Sequence, residues 1–183
     1  MEKVYVFFAE GFEEIEGLTV VDILRRAGID TVMVSIGQNL EVTGSHGIRI
    51  KTDLLFDEEA LSDGTYYVLP GGMPGTTNLG AHKGLCGLLI KAKAEGKKLA
   101  AICAAPMVLG ELGLLEGEKA VCFPGREDHL KGAQVLYDPV VVSGNITTSR
   151  GMGTAIPFAL ALLAQIQGEE AAQKLGTGIV YYS

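Results

Sequence analysis

AAICAAP, residues 100–106, sets a cysteine between a small apolar strand and a proline that opens a helix. Leu99 to Cys103 reads as a buried strand, and Ala105 to Leu112 reads as a short helix. Pro106 is tolerated there because the first helical turn has no partner for its N–H. Two readings of Cys103 stand at this point. It is a small hydrophobe in the core, or a nucleophile on a sharp turn where free N–H groups and the positive helix end favour thiolate.

Outward from this stretch, strand-like and helix-like segments alternate. Lys3 to Ala9 is a continuous apolar run, as in a strand covered on both faces. Glu14 to Ala27 carries Leu18, Val21 and Leu24 at helical spacing and stops at Gly28. Thr31 to Ile36 and Tyr66 to Leu69 are further strands. Residues 40 to 56 suggest a hairpin excursion around Gly44 and Gly47. Leu85 to Ala94 is helical. Ala120 to Phe123 is a strand, and Arg126 to Lys131 a helical turn. Val135 to Ser149 reads as one hairpin turning near Gly144-Asn145. Pro157 to Gln165 and Glu169 to Leu175 are late helices. This alternation predicts one α/β domain over residues 1–183, with a mostly parallel sheet and helices on both faces.

Composition narrows the function. The chain has 183 residues, a net charge of −7 and 48% apolar residues. An acidic chain without a Lys/Arg cluster argues against a nucleic-acid backbone as partner. The apolar runs VYVFFA and FALALLAQI are too short to span a bilayer, and no signal peptide is read. The three cysteines, Cys86, Cys103 and Cys122, lack the spacing of a disulfide framework or a zinc site. A cytoplasmic protein without metal or cofactor is expected.

Ligands of parallel sheets sit at the carboxyl ends of the strands. That rule selects AEGFEE, LPGGMPG and CAAP. Gly71 and Gly72 make a tight turn, or else Gly72 offers its N–H, with that of Ala104, as an oxyanion hole. Glu13, Glu14 and Glu16 form a solvated first helical turn, or one of them faces the sheet edge. A carboxyl buried beside a cysteine would keep its proton and donate it to the sulfur. His46, His82 and His129 read as surface residues. Cys86 and Cys122 read as structural and buried.

Together, AEGFEEIE with VVDILRRAGI, LPGG, AAICAAP and TTSRGMGTAIPFALAL resemble the ThiJ/PfpI superfamily and its DJ-one/YajL branch. The resemblance spans nearly the whole chain in order. It implies a flavodoxin-like sandwich, a homodimer and a reactive cysteine on a nucleophile elbow. By motif, Cys103 is the nucleophile and Glu16 its protonated partner, with Gly72 and Ala104 as backbone donors. Gly71 belongs to the same loop. The loop of Ser149, Arg150, Gly151 and Met152, ending at Gly153, would lie near the partner's active site, and Arg26 is dimer-proximal. The sequence departs from the family at three places. Phe123, in Cys122-Phe123-Pro124, stands where the human-type proteins carry a histidine. Ala104 stands where peptidase-like members carry another. His46 replaces a family arginine.

The resemblance implies an enzyme acting on small α-oxoaldehydes or on glycated proteins, of glyoxalase or deglycase type and linked to oxidative or carbonyl stress. The alternative is a redox sensor or chaperone that uses oxidation of Cys103. A cysteine peptidase or a role in thiazole monophosphate biosynthesis ranks below both.

Overall fold

The computed structural model describes residues 2–182. Eleven strands run along these residues: β1 Lys3–Phe8, β2 Asp30–Ser35, β3 Glu41–Thr43, β4 Arg49–Lys51, β5 Leu54–Leu55, β6 Tyr66–Leu69, β7 Lys98–Ile102, β8 Lys119–Ala120, β9 Gln134–Val135, β10 Val140–Ser143 and β11 Ile146–Ser149. The helices are α1 Glu14–Arg26, α2 Gly75–Ala81, α3 Lys83–Ala94, α4 Pro106–Glu111, α5 Ala155–Gln167 and α6 Glu169–Gly178.

Seven strands form the central sheet, in the order β10-β11-β7-β6-β1-β2-β5. Every neighbouring pair is parallel except β10 with β11. The period-two geometry of β1 explains how a continuous apolar run serves two cores. Tyr5 and Phe7 point into the layer of α2, α3 and α4, with Leu79, Leu88 and Leu109. Val4, Val6 and Phe8 point the other way, against Val20 and Leu24 of α1 and Phe158 and Leu162 of α5. Each fully buried side chain of this size contributes roughly 1.5–3 kcal/mol relative to exposure. The sandwich expected from the sequence is the fold observed.

Three boundaries differ from expectation. Helix α2 follows the LPGG loop, where the sequence suggested only a turn. Its GTTNLGA composition lacks helical periodicity, and it is held by tertiary contact, burying Leu79 and Thr76. The hairpin is confined to β10 and β11, because Val135 instead pairs with Ala120 in a separate parallel bridge. The strand expected over Ala120 to Phe123 ends at Ala120. The β3–β4 hairpin supplies the excursion predicted for residues 40 to 56, and β5 then joins the sheet edge.

Strands β7, β6 and β1 are adjacent in the sheet. The three loops leaving their carboxyl ends therefore meet in space, although β1 ends at Phe8 and β7 only at Ile102.

Candidate active site

Cys103 is the residue immediately after β7, and its φ is 64°, in the left-handed region. For a residue with a β-carbon this costs on the order of 1–3 kcal/mol and persists only when the surroundings fix it. Two hydrogen bonds do so. Cys103 N–H donates to the Ser149 carbonyl at 3.0 Å, and Phe123 N–H donates to the Cys103 carbonyl at 2.8 Å. The turn throws the side chain up from the sheet edge, half-buried, into the space between the other two loops.

Those loops carry the polar groups. Gly71 N–H donates to Glu16 Oε2 at 2.9 Å. The backbone N–H groups of Gly72 and Ala104 face the Cys103 sulfur and favour its charged form. Glycine is required at both loop positions. A β-carbon at Gly71 would fall 2.6 Å from Cys103 Cβ and 2.7 Å from Glu16 Oε2, and Gly72 has φ of 89°. Helix α4 has only six residues, so its dipole is a minor contribution beside these direct donors.

The three carboxylates of the first helix do three different jobs. Glu13 caps α1, its Oε2 accepting from Glu16 N–H at 2.8 Å. Glu14 is turned away and latched to the β3–β4 hairpin. Its oxygens accept from His46 N–H at 2.7 Å and pair with His46 Nδ1 at 2.8 Å. These hydrogen bonds outweigh burial and hold its carboxyl below the ordinary range, while the same contact raises His46. Glu13, Glu14 and His46 bring ligating atoms within 4.8 Å of one another. The cap and the latch account for that cluster without an ion.

Glu16 alone faces the sulfur. It is 1% exposed, and burial is the main reason its carboxyl is raised to about 7, with the charge of Glu13 adding to the effect. Its Oε1 has no hydrogen-bond partner, whereas Oε2 accepts from Gly71. The proton therefore belongs on Oε1, and the carboxyl as a whole stands against the Cys103 side chain. Burial, followed by the Glu16 carboxylate, pushes the Cys103 thiol up to about 12. This corrects the simple expectation of a thiol lowered by a helix end. The two groups titrate as a pair. Burial raises both, so one proton is shared through the neutral range. A protonated carboxyl adds a third donor to the Gly72 and Ala104 N–H groups at a thiolate, whereas the reverse arrangement buries a carboxylate with one oxygen lacking a hydrogen-bond partner.

The remaining candidates are dispersed. Ser149 is fully buried, and its Oγ is committed to the Pro139 carbonyl and Thr154 Oγ1, both at 2.7 Å. It serves the site through its backbone carbonyl. Arg150 is half-buried and lies toward Cys122. Gly151 packs on the ring of Phe123, and Met152 is exposed. Arg26 stands at the surface, paired with Asp22 at 2.6 Å, on the edge of a groove along α1 and away from Cys103.

No histidine among the described residues hydrogen-bonds Cys103. His82 caps α3, and His129 pairs with Glu111 at 3.0 Å on the far end of α4. Cys122 is buried as expected. Cys86 is not. It is partly exposed, its S–H donating to the Gly80 carbonyl at 3.3 Å. Partial burial nonetheless raises its thiol above the usual range. Sequence reasoning missed the Glu13 cap. Its signal was an acidic residue directly before the helix, three positions ahead of another acid.

Comparison with known proteins agrees with this fold. Residues 2–165 match the DJ-1/PfpI family. The chain belongs to that family. It is 39% identical over 175 residues to protein DJ-1 homolog A of Arabidopsis thaliana, covering 95% of this chain and 45% of that one. The chain thus spans less than half the length of that relative. It is 32% identical over 154 residues to a deglycase of Thermococcus kodakarensis, covering 82% of this chain and 91% of that one. The oxidised structure of Toxoplasma gondii DJ-1 superposes with a TM-score of 0.94 at 38% identity, covering 100% of both chains. The family assignment and the flavodoxin-like fold are therefore established for this DJ-1/PfpI protein.

Proposed function

We propose that this protein converts small 2-oxoaldehydes such as methylglyoxal into 2-hydroxy acids without glutathione, and that it acts on the corresponding protein adducts. One observation carries the reading. A sulfur, a buried carboxyl that holds one proton near neutrality and two backbone donors converge at one point. The deglycase name of the Thermococcus relative supports the same substrate class.

In this scheme the Cys103 thiolate adds to the aldehyde carbon, and the new C–S bond gives a hemithioacetal. The N–H groups of Gly72 and Ala104 hold the developing oxyanion, and the Glu16 proton neutralises it. The Glu16 carboxylate then takes the C1 proton to give an enediolate, the proton on the C1 oxygen passes to the C2 oxygen, and Glu16 returns its proton to C2. The product is a thioester of lactate on Cys103. Water hydrolyses it, releasing lactate and the thiol, so methylglyoxal plus water becomes lactate with no external oxidant. With Phe123 where a histidine base would stand, Glu16 carries every proton transfer. The test is lactate formation from methylglyoxal by the wild type and by Cys103→Ala.

A second reading uses the same sulfur as a redox sensor, with thiolate oxidised by peroxide to sulfenic and then sulfinic acid. The oxidised state of the Toxoplasma structure favours keeping it. Mild peroxide followed by peptide mapping is expected to add oxygen at Cys103, where the Glu16 carboxyl and two backbone N–H groups support a thiolate, and to spare Cys86 and Cys122, which have no carboxyl hydrogen-bond partner. Equal modification of all three would remove the chemical basis of this reading.

The protein is also expected to form a homodimer. Ile15, Ile48 and Ile156 are exposed on one face along α1, beside Arg26, and isolated apolar groups of this size gain by being covered. Light scattering at low micromolar concentration should give twice the chain mass for the wild type and the chain mass for Ile15→Glu. A wild-type monomer would exclude the dimer. No helix among the described residues is long and apolar enough to cross a membrane. A cytoplasmic location fits these features.

A further inference from the structure

Glu13, Gly71 and Glu16 close a ring of three hydrogen bonds. Glu13 N–H donates to the Gly71 carbonyl at 2.9 Å, Gly71 N–H donates to Glu16 Oε2 at 2.9 Å, and Glu16 N–H donates to Glu13 Oε2 at 2.8 Å. The ring ties the start of α1 to the loop after β6. It also leaves Glu16 Oε1 without a hydrogen-bond partner.

We propose that Glu13 is a positioning residue that keeps the proton of the Cys103–Glu16 pair on Glu16, so that the sulfur carries the charge. This rests on the reading of Cys103 and Glu16 as the reacting pair, but not on turnover. Glu13 acts in two ways. Its capping bond fixes the turn that bears Glu16, so that Oε2 meets Gly71 and the carboxyl stands against Cys103. Its charge stands beside Glu16 and opposes a second carboxylate there. In the single-proton state of the pair, that repulsion moves the proton from sulfur to Glu16. A bare helix cap would do only the first.

The groups around Glu16 are few. Cys103 faces it across the loop, Glu13 stands at the helix start, and Glu14 on the same turn is engaged by His46. His46 also responds to Glu13, so its own protonation must be separated from the effect.

The experiment is the pH profile of Cys103 alkylation by iodoacetamide, from pH 5 to 9, followed by intact mass and peptide mapping. It compares the wild type, Glu13→Gln and Glu13→Asp, each also in a His46→Gln background, with the melting temperature measured alongside. Glutamine can still accept the capping bond but has no charge. Glu13→Gln is therefore expected to release the first proton of the pair at lower pH. It should lower the neutral-pH alkylation rate by about three- to tenfold, the proton having moved to sulfur. Glu13→Asp keeps the charge and should restore the rate toward wild type, and His46→Gln should leave both results standing. A Glu13→Gln profile that superposes on the wild type, with or without a lower melting temperature, would reduce Glu13 to a helix cap and overturn the proposal. So would a slowed Glu13→Gln that Glu13→Asp does not rescue. A wild type that makes no lactate would overturn the proposed function instead, while the alkylation profile would still decide the role of Glu13.

Discussion

Cys103→Ala protein, offered methylglyoxal, is expected to form lactate no faster than buffer does. The loss should be about 10³-fold or more, because removing a covalent nucleophile leaves only binding and oxyanion contacts to act. The substitution is a clean one. Alanine keeps the β-carbon, so the left-handed turn at φ of 64° is no more and no less strained than before. The bonds that fix it run from the backbone of Ser149 and Phe123 and do not involve sulfur. Circular dichroism and melting temperature should therefore stay close to wild type. Lactate is measured enzymatically after the aldehyde is removed, across several substrate concentrations. A variant that retains the wild-type rate would show that Cys103 forms no bond with substrate, and the proposed reaction would fall with it.

Glu16 should separate reactivity from turnover. Glu16→Gln is expected to lose lactate formation by roughly 10²–10⁴-fold, the usual worth of a positioned acid or base. Its Cys103 should remain open to iodoacetamide near pH 7, within a few-fold of wild type. An amide N–H can still donate to the thiolate, but it cannot take the C1 proton or return it. Glu16→Leu should lose both, because the sulfur is then left in a buried setting with only the Gly72 and Ala104 donors. The sign of the pH effect follows from the pair. Burial raises Glu16 to about 7, so below that pH both protons are held and the thiolate is scarce. Alkylation by the wild type should rise through pH 7 and then level off. In Glu16→Leu the rise should move to higher pH, since burial alone raises the thiol. If Glu16→Leu keeps the wild-type profile, Glu16 is not the partner of Cys103, and Glu13 and Glu14 become the residues to test.

Much of this was legible in one dimension. Continuous apolar runs such as VYVFF could only be strands covered on both faces, and their alternation with helical segments fixed a parallel sheet. Right-handed crossovers then placed the loops after β1, β6 and β7 at one edge. That is why AAICAAP, LPGG and AEGFEE could be assigned to one site from the sequence. Short or irregular elements were not legible. GTTNLGA has two glycines and two threonines in seven residues, so its helix reflects the packing of Leu79 rather than propensity. The histidines could be excluded as bases only once their partners were seen at the Glu14 latch, the α3 cap and Glu111.

What the amino-acid sequence by itself determined is the architecture and the placing of Cys103 and three carboxylates at neighbouring strand ends, because these follow from periodicity; the elbow at Cys103 was implied only by the family resemblance, and its φ of 64° shows it. What only the tertiary structure decided is which carboxylate meets the sulfur and where the shared proton lies. Glu13, Glu14 and Glu16 are three acids within four residues, indistinguishable in composition. They part because a helical turn points one to a cap, one to a hairpin latch and one into a desolvated pocket. Charge energies there depend on burial and on donors brought from loops far away in sequence. Gly71 and Ser149, which hold Glu16 and Cys103 in place, lie 55 and 46 positions away from the residues they support. No local pattern encodes such a contact, because it exists only when the sheet has brought the strand ends together.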